Sequence, residues 1–204
     1  MSNIQKAIDF AVKHHSGQSR KGSPAESWKR IPYVTHCFEV TKAVSEFGVD
    51  DSATLEASML HDTVEDCLEV TIELIEKEFG KEVAKYVLEC TREGGDNVTK
   101  LQKYEFLESF ANKSLESVSI KIADRCCNVR DYLSTEGKEE YAAQYALQAY
   151  PLVRTYLKRC NELEEHHIKR INRAVSWLVG VVENKYGVNF TEPDIENWVK
   201  SKVI

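Results

Sequence analysis

The sequence predicts an all-α fold, and three observations support this prediction. Apolar residues recur at intervals of three and four along most of the 204-residue chain, which is the period of an amphipathic helix. Residue types that commonly begin or end helices, such as Ser, Asp, Pro and Gly, stand between these stretches. No stretch of useful length alternates between apolar and polar residues as a half-buried strand would. We therefore expect helices packed around one hydrophobic core.

The ends of the predicted helices follow from their capping residues. Pro32 suits the first turn of a helix, where its missing N–H costs nothing, and that helix should stop at Gly48. Asp51 or Ser52 should cap the next helix, and Thr71 a later one. The first predicted helix has an apolar stripe over residues 4–12, with Ser2 as its cap. The helix that Asp51 or Ser52 caps should include residues 55–66. The other predicted helices cover residues 32–47, 71–80, 81–91, 100–111, 115–133, 139–165, 168–186 and 192–202.

The chain length suits a single domain. We expect residues 1–204 to form one domain, with a motif-bearing core over 4–133 and C-terminal helices over 139–202 packed on it. Pro151 interrupts the long helical pattern after Glu139 and should kink or divide it. The apolar faces of the C-terminal helices are expected to pack in the core, and the alternative is that they form a subunit interface. The oligomeric state is not predicted.

Composition and charge exclude several classes of function. The net charge of −6 argues against nucleic acid as the main partner, since that partner usually needs a basic face. No apolar run is long enough to cross a bilayer and the N-terminus lacks the apolar core of a signal peptide, so we expect no membrane partner and a cytoplasmic protein. The six cysteines, without CxxC spacing, are predicted to be reduced and mostly buried.

The segment His61-Asp62-Thr63-Val64-Glu65-Asp66 is the most informative stretch of the chain. On a helix, residues three and four apart share a face, so Glu65 and Asp66 lie one turn beyond the His-Asp pair. The His-Asp pair can supply a nitrogen and an oxygen ligand to a metal, while Glu65 and Asp66 can handle a proton of water. The alternative for Glu65 and Asp66 is an acidic helix surface.

His36 and Asp124 are candidates to complete such a metal site. His36 lies on an apolar face of its predicted helix, so its imidazole should point inward; taken alone, a core histidine with one hydrogen bond is the favoured interpretation. Asp124 is flanked by apolar residues and should be partly buried, where a carboxylate needs a cation or several donors. A structural salt bridge with Arg125 or Arg130 is its alternative.

Together, His36, His61, Asp62 and Asp124 form a mixed nitrogen and oxygen set. Such a set suits Mn²⁺, Fe²⁺, Mg²⁺ or Zn²⁺ and can leave positions for water and a phosphate oxygen. A divalent metal lowers the pKa of the water it binds, which makes that water a nucleophile near neutral pH. The adjacent pairs His14-His15 and His166-His167 lack matching carboxylates, and we expect them at the surface.

These residues stand in an order that resembles a known family. His36, His61-Asp62 and Asp124 are similar to the H…HD…D signature of HD-domain metal-dependent phosphohydrolases. Further matches narrow the resemblance to the hydrolase domains of RelA/SpoT-type alarmone enzymes and their small stand-alone relatives. The matching segments are Arg20-Lys21, Pro32-Tyr33-Val34-Thr35-His36, His61-Asp62-Thr63-Val64-Glu65-Asp66 and 121–130, which are similar to the family series RK…PYxxH…HDxxED…K(L/I)ADRxxNxR.

The resemblance implies an HD-domain helical bundle with additional C-terminal helices, and a role for each matched residue. It implies that His36, His61, Asp62 and Asp124 hold one metal ion, usually Mn²⁺, and that Glu65 and Asp66 orient and deprotonate the attacking water. It further implies substrate contacts from four polar residues. These are Arg20 on the purine and Lys21, Lys121 and Asn128 on phosphate or ribose.

Three of the four substrate-contact residues have a simpler interpretation. Arg20 and Lys21 could be solvated charges of a polar loop, and Asn128 could bond a neighbouring helix. The chain also departs from the family in its loop over residues 22–31, which is longer than usual and carries Trp28 and Lys29. That loop could alter base recognition.

The reaction implied by the resemblance is hydrolysis of the 3′-pyrophosphate of ppGpp or pppGpp, the alarmones of the stringent response, to pyrophosphate and GDP or GTP. About 70 residues follow Arg130, too few for a synthetase domain, so a stand-alone hydrolase is implied. Two alternatives remain. One is an HD phosphohydrolase for another nucleotide, such as an NADPH 2′-phosphatase or a nucleotidase, and the other is a non-catalytic HD module that binds a nucleotide or a protein.

Overall fold

The computed structural model describes residues 3–20, 30–95, 98–188 and 195–204. These residues form helices and contain no strand, only an isolated bridge between Ser19 and Pro32, so the all-α prediction is confirmed. The chain divides into two compact units, residues 1–95 and residues 96–204. Within the described ranges, no helix combines the length and apolar character needed to cross a membrane.

The first unit is built around a buried central helix. Helix α3 packs against α1, α2 and α6, and most of its residues are buried. The buried residues of these neighbouring helices include Val40 and Val44 of α2 and Val87 of α6. This packing places the end of α3, and therefore His61, inside the unit. The helices of the first unit are α1 Asn3–His14, α2 Val34–Glu46, α3 Ser52–Leu60, α4 Thr63–Asp66, α5 Ile72–Phe79 and α6 Lys81–Cys90.

Two predicted caps in the first unit are confirmed by hydrogen bonds. The Asp51 side chain accepts from the backbone N–H of Thr54 at 2.8 Å, and the Thr71 side chain accepts from that of Leu74 at 3.3 Å. Gly48 follows α2 with a φ of 92°, a left-handed conformation that glycine adopts without steric cost. Pro32 lies just before α2 rather than in its first turn, because α2 begins at Val34.

The expected continuous helix through Asp66 is interrupted at His61 and Asp62. Helix α3 ends at Leu60, Asp62 has φ −101° and ψ −5°, and α4 begins at Thr63. Side chains donate hydrogen bonds to backbone carbonyls at the break, and Thr63 Oγ1 donates to the Leu60 carbonyl at 2.7 Å. Such local side-chain hydrogen bonds compete with regular helix formation. The break separates the histidine from the two carboxylates that follow it.

The second unit is organised around the long helix α8, which packs against α9, α10 and α11. Twelve of its residues are buried, among them the charged residues Lys121, Asp124 and Arg125. Pro151 divides the long C-terminal pattern as predicted, since it lies in the first turn of α10. The helices of the second unit are α7 Lys100–Glu108, α8 Leu115–Leu133, α9 Glu139–Gln148, α10 Tyr150–Arg159, α11 Glu165–Tyr186 and α12 Ile195–Val203, with 3-10 turns at Ser109–Asn112 and Cys160–Glu162.

Candidate active site

His61 is held in the orientation and tautomer that suit a metal ligand. The residue is 1% exposed and directly follows α3. Its Nδ1 lies 2.8 Å from the Ser58 carbonyl oxygen. Because a carbonyl only accepts, Nδ1 carries the proton and Nε2 keeps its lone pair. That Nε2 atom lies 3.1 Å from Asp62 Oδ2.

His36 brings a second imidazole to the same carboxylate. It is 1% exposed on α2, and its Nε2 lies 3.7 Å from Asp62 Oδ2. A ring nitrogen of His36 and one of His61 lie within 4.8 Å of each other, the spacing of two ligands of one ion. The inward orientation predicted for His36 is thus observed, and two nitrogens and a carboxylate oxygen converge within the first unit.

Tyr33 belongs to this cluster, although no sequence pattern assigns it a role. Its hydroxyl donates to Asp62 Oδ2 at 2.5 Å, which fixes that carboxylate beside the two imidazoles. The guanidinium carbon of Arg20 lies 5.7 Å from the Tyr33 ring centroid. Arg20 is therefore placed against the ring that supports Asp62, while Lys21 lies outside the described residues, as do Trp28 and Lys29 of the long loop.

Glu65 is held by Arg92, a second residue that lies outside the predicted motifs. Arg92 donates twice to Glu65, from Nη2 to Oε1 at 2.7 Å and from its backbone N–H to Oε2 at 3.1 Å. The same guanidinium nitrogen donates to the Gly95 carbonyl at 2.7 Å. The side chains of Glu65 and Arg92 are only 14% and 16% exposed, so Glu65 is not part of a solvated acidic surface.

Asp66 differs from Glu65 in its surroundings. It is exposed at the surface, yet the protein around it and the negative charge of Asp62 raise its pKa to about 6. The neighbouring Tyr33 hydroxyl opposes this rise of the pKa. The backbone N–H of Asp66 donates to the Asp62 carbonyl at 2.9 Å, so Asp66 stands one turn beyond Asp62 as predicted. The Tyr33 hydroxyl, which donates to Asp62, therefore also influences Asp66.

His15 corrects the expectation that the pair His14-His15 lies at the surface. His15 is 3% exposed, and its ring centroid lies 4.9 Å from that of Tyr33. Its Nδ1 is 2.7 Å from Gln18 Oε1, and Gln18 Nε2 donates to the Asp66 carbonyl at 2.9 Å. Burial lowers the pKa of His15 and favours the neutral ring. These two residues support Tyr33 and the end of α4.

Asp124 lies on the buried face of α8 in the second unit. Lys121 Nζ is 2.9 Å from its Oδ2, and Asn128 Nδ2 donates to its Oδ1 at 2.5 Å. The two residues predicted to touch the substrate from this helix thus flank the carboxylate. Arg125, one of the expected salt-bridge partners, lies with its guanidinium carbon 4.1 Å from the Tyr145 ring centroid. Asp124 is 3% exposed and is the buried candidate ligand of the second unit.

The chain also matches proteins of known family. A family model described as HD domain matches residues 7–152. The guanosine-3′,5′-bis(diphosphate) 3′-pyrophosphohydrolase MESH1 of Xenopus tropicalis is 34% identical over 149 residues, which cover 71% of this chain and 79% of that protein. The human MESH1 is 29% identical over 174 residues, which cover 83% and 93%. A GTP pyrophosphokinase of Streptomyces coelicolor is 35% identical over 163 residues, but the match covers only 17% of that longer protein.

The chain is also similar to a solved structure. That structure is described as a metazoan ortholog of SpoT that hydrolyzes ppGpp and plays a role in starvation responses. The likeness has a TM-score of 0.68 and 25% sequence identity, and it covers 87% of this chain and 96% of that one. This coverage extends past the family model into the C-terminal helices. The chain therefore belongs to the HD-domain family, and its relatives there include the MESH1 hydrolases.

Proposed function

We propose that this protein is a metal-dependent guanosine-3′,5′-bis(diphosphate) 3′-pyrophosphohydrolase. It would use water to remove the 3′-pyrophosphate of ppGpp or pppGpp and release pyrophosphate with GDP or GTP. The observation that carries this proposal is the convergence of His36 and His61 on Asp62, with Glu65 held close by, in a chain that matches most of MESH1.

The proposed enzyme works as one domain of residues 1–204. The HD-domain match over residues 7–152 spans parts of both compact units, which supports a shared function for them. In this proposal the core of residues 4–133 carries the ligands and residues 139–202 pack on it. The six cysteines are free thiols, as a reducing compartment favours, and the proposed location is the cytoplasm.

The proposed metal ligands are His36, His61, Asp62 and Asp124. HD-domain hydrolases depend on a divalent metal, and we assign Mn²⁺ to this chain. The donor set fits that ion, because two imidazoles and two carboxylates suit borderline divalent cations. The His61 tautomer also fits, since Nδ1 is protonated and Nε2 keeps its lone pair. When bound, such an ion would polarise a phosphoryl oxygen and make water more acidic.

Glu65 and Asp66 are the proposed proton-handling pair. A carboxylate has about four lone-pair positions, and Arg92 uses one on each oxygen of Glu65. The remaining positions can accept the protons of a water molecule, whose orientation then follows from the orientation of Glu65. Asp66, one turn after Asp62 and with a pKa raised to about 6, can take the proton that the attacking water loses.

The proposed substrate contacts come from four residues. Arg20, beside the Tyr33 ring, would stack on the purine, and Lys21 would lie near phosphate. Lys121 and Asn128, on either side of Asp124, would contact phosphate or ribose. These contacts provide cationic groups for the charge of the alarmone phosphates, which a metal alone would leave partly uncompensated.

An activity assay tests this proposal: the purified protein is incubated with Mn²⁺ and with ppGpp, NADPH or one of a panel of nucleotides, and the released products are measured. We expect pyrophosphate release from ppGpp, lost in Asp62→Asn and strongly reduced in Glu65→Gln. Glu69→Gln is the matched control, because Glu69 is an exposed acid that pairs with His14 outside the proposed site.

Turnover of NADPH or another nucleotide without hydrolysis of ppGpp would contradict ppGpp as the substrate. That result would still agree with an HD-domain phosphohydrolase. No turnover by a folded, metal-loaded protein would contradict the enzymatic function. Equal activity loss in Glu69→Gln and Glu65→Gln would contradict the assignment of Glu65.

A further inference from the structure

The second unit contains a cavity of about 410 Å³ that the proposed reaction does not use. Its lining residues come from α7, α10 and α12 and from the 3-10 turn after α7. None of the proposed ligands, proton-handling residues or substrate contacts lines it. Cavities of this size typically accommodate small organic molecules, provided that a few polar groups converge in them.

Two hydroxyl groups in the wall of this cavity are available to a ligand. Tyr104 and Thr155 are 2% and 6% exposed, and both line the cavity. Within the described parts of the chain, neither hydroxyl makes a hydrogen bond. A helical threonine often donates to the carbonyl one turn back, as Thr41 and Thr91 do here at 2.8 Å. Because neither hydroxyl is used within the described protein, both can donate to a molecule in the cavity, and a ligand that accepts from both would gain two hydrogen bonds.

The charges around the cavity favour a ligand with one negative charge. Three cations and two carboxylates line it, which leaves a single net positive charge. Arg154 pairs with Glu196, and Arg159 pairs with Glu162. Lys158 has no ion pair or hydrogen bond to any residue that the structure describes, so it is the cation that can receive an anion.

The remaining wall is apolar and aromatic. Ala111 and Pro151 line it together with the rings of Tyr104 and Tyr150. These groups favour contact with an apolar, ring-sized body rather than with a small hydrated ion. Glu108 and Glu196 pair with Lys200, and Glu196 also pairs with Arg154. A molecule with several phosphates is therefore disfavoured, because Lys158 is the only cation lining the cavity that has no ion pair among the described residues.

We propose that this cavity binds a small organic anion that combines an apolar ring-sized body with one negatively charged group. The charged group lies at Lys158, and the hydroxyls of Tyr104 and Thr155 donate to the same molecule. The site is separate from the proposed hydrolase site, and its test does not depend on catalysis.

The probe for the test is 8-anilinonaphthalene-1-sulfonate, an aromatic anion with a single charge whose fluorescence rises when it leaves water. We expect saturable binding to the full-length protein, measured by fluorescence titration. Lys158→Glu should weaken this binding by about tenfold, since it removes a charged partner. The double variant Tyr104→Phe with Thr155→Val, which removes both hydroxyls and keeps their bulk, should weaken it by about tenfold as well.

Lys169→Glu is the matched control, because Lys169 is an exposed lysine of α11 that pairs only with Glu165 in the described part of the chain. It should leave the affinity within about twofold, and circular dichroism should show the same helical spectrum for all variants. Binding that Lys158→Glu and the double variant leave unchanged, or no saturable binding to the wild-type protein, would overturn the proposal. Displacement of the probe by inorganic pyrophosphate would overturn the assignment to singly charged organic ligands.

Discussion

Replacing Arg92 with methionine removes the side chain that holds Glu65. The guanidinium donates to Glu65 Oε1 at 2.7 Å and to the Gly95 carbonyl at 2.7 Å, so it joins the carboxylate to the segment after α6. Methionine keeps much of the apolar stem and removes the charge and both hydrogen bonds. The backbone N–H of residue 92 would still donate to Oε2, so Glu65 would be loosened rather than released.

The expected loss of activity in Arg92→Met follows from the solvent exposure of the Arg92 and Glu65 side chains. Hydrogen bonds to charged groups contribute about 1.5–3 kcal/mol, and solvent access lowers that contribution. The two side chains are 14% and 16% exposed, so we expect a loss near the lower end, about 1.5 kcal/mol. If that interaction is needed to orient Glu65 in the transition state, kcat for ppGpp falls about tenfold while KM stays within about twofold.

Steady-state kinetics with Mn²⁺ and ppGpp measures both constants. Arg92→Lys keeps the positive charge and should recover part of kcat, and Glu65→Gln should lose more activity than Arg92→Met. Arg159→Met is the matched control, because it removes a guanidinium that pairs with Glu162 in the second unit.

An unchanged kcat in Arg92→Met would refute the positioning role. A raised KM with normal kcat would show instead that Arg92 binds substrate. Equal losses in Arg159→Met and Arg92→Met would show that the effect is general destabilisation.

Three further predictions concern the metal and the fold. Tyr33→Phe should weaken Mn²⁺ binding, measured by isothermal titration calorimetry, by about tenfold or more, because outer hydrogen bonds orient metal ligands; unchanged affinity would contradict this role. EDTA should abolish ppGpp hydrolysis and added Mn²⁺ should restore it, whereas activity that survives metal removal would refute the metal-dependent mechanism. Asp51→Ala should lower the free energy of unfolding in urea by about 1 kcal/mol, because the α3 cap is lost; no change would show that packing alone holds the start of α3.

Local sequence patterns predict much of the fold. The observed α8 covers Leu115–Leu133 as its apolar pattern predicts, and in the structure the Ser114 side chain caps it. The division at Pro151 is equally local, because proline cannot continue a helix from the preceding turn. By contrast, the break at His61 and Asp62 depends on side-chain bonds to carbonyls that helical periodicity does not reveal.

In the candidate site, too, some features follow from local sequence and others from contacts between distant residues. Motif spacing selects His36, His61 and Asp62, since their order along the chain resembles a family pattern. The contact of Arg92 with Glu65 joins residues 27 positions apart, and no periodic signal connects them. Tyr33 lies in the motif segment Pro32-Tyr33-Val34-Thr35-His36. Its hydrogen bond to Asp62, however, joins positions 29 apart and depends on how α2 packs beside α3.

The sequence by itself determined the helical class, most of the helix ends and the identity of the candidate ligands, because capping, periodicity and motif order are properties of neighbouring residues. Only the tertiary structure decided that His15 is buried beneath Tyr33, that Arg92 holds Glu65 and that a cavity lies among α7, α10 and α12. These features depend on side-chain contacts between elements distant in the chain. Their geometry is set by the packing of whole helices, and local propensity does not encode it.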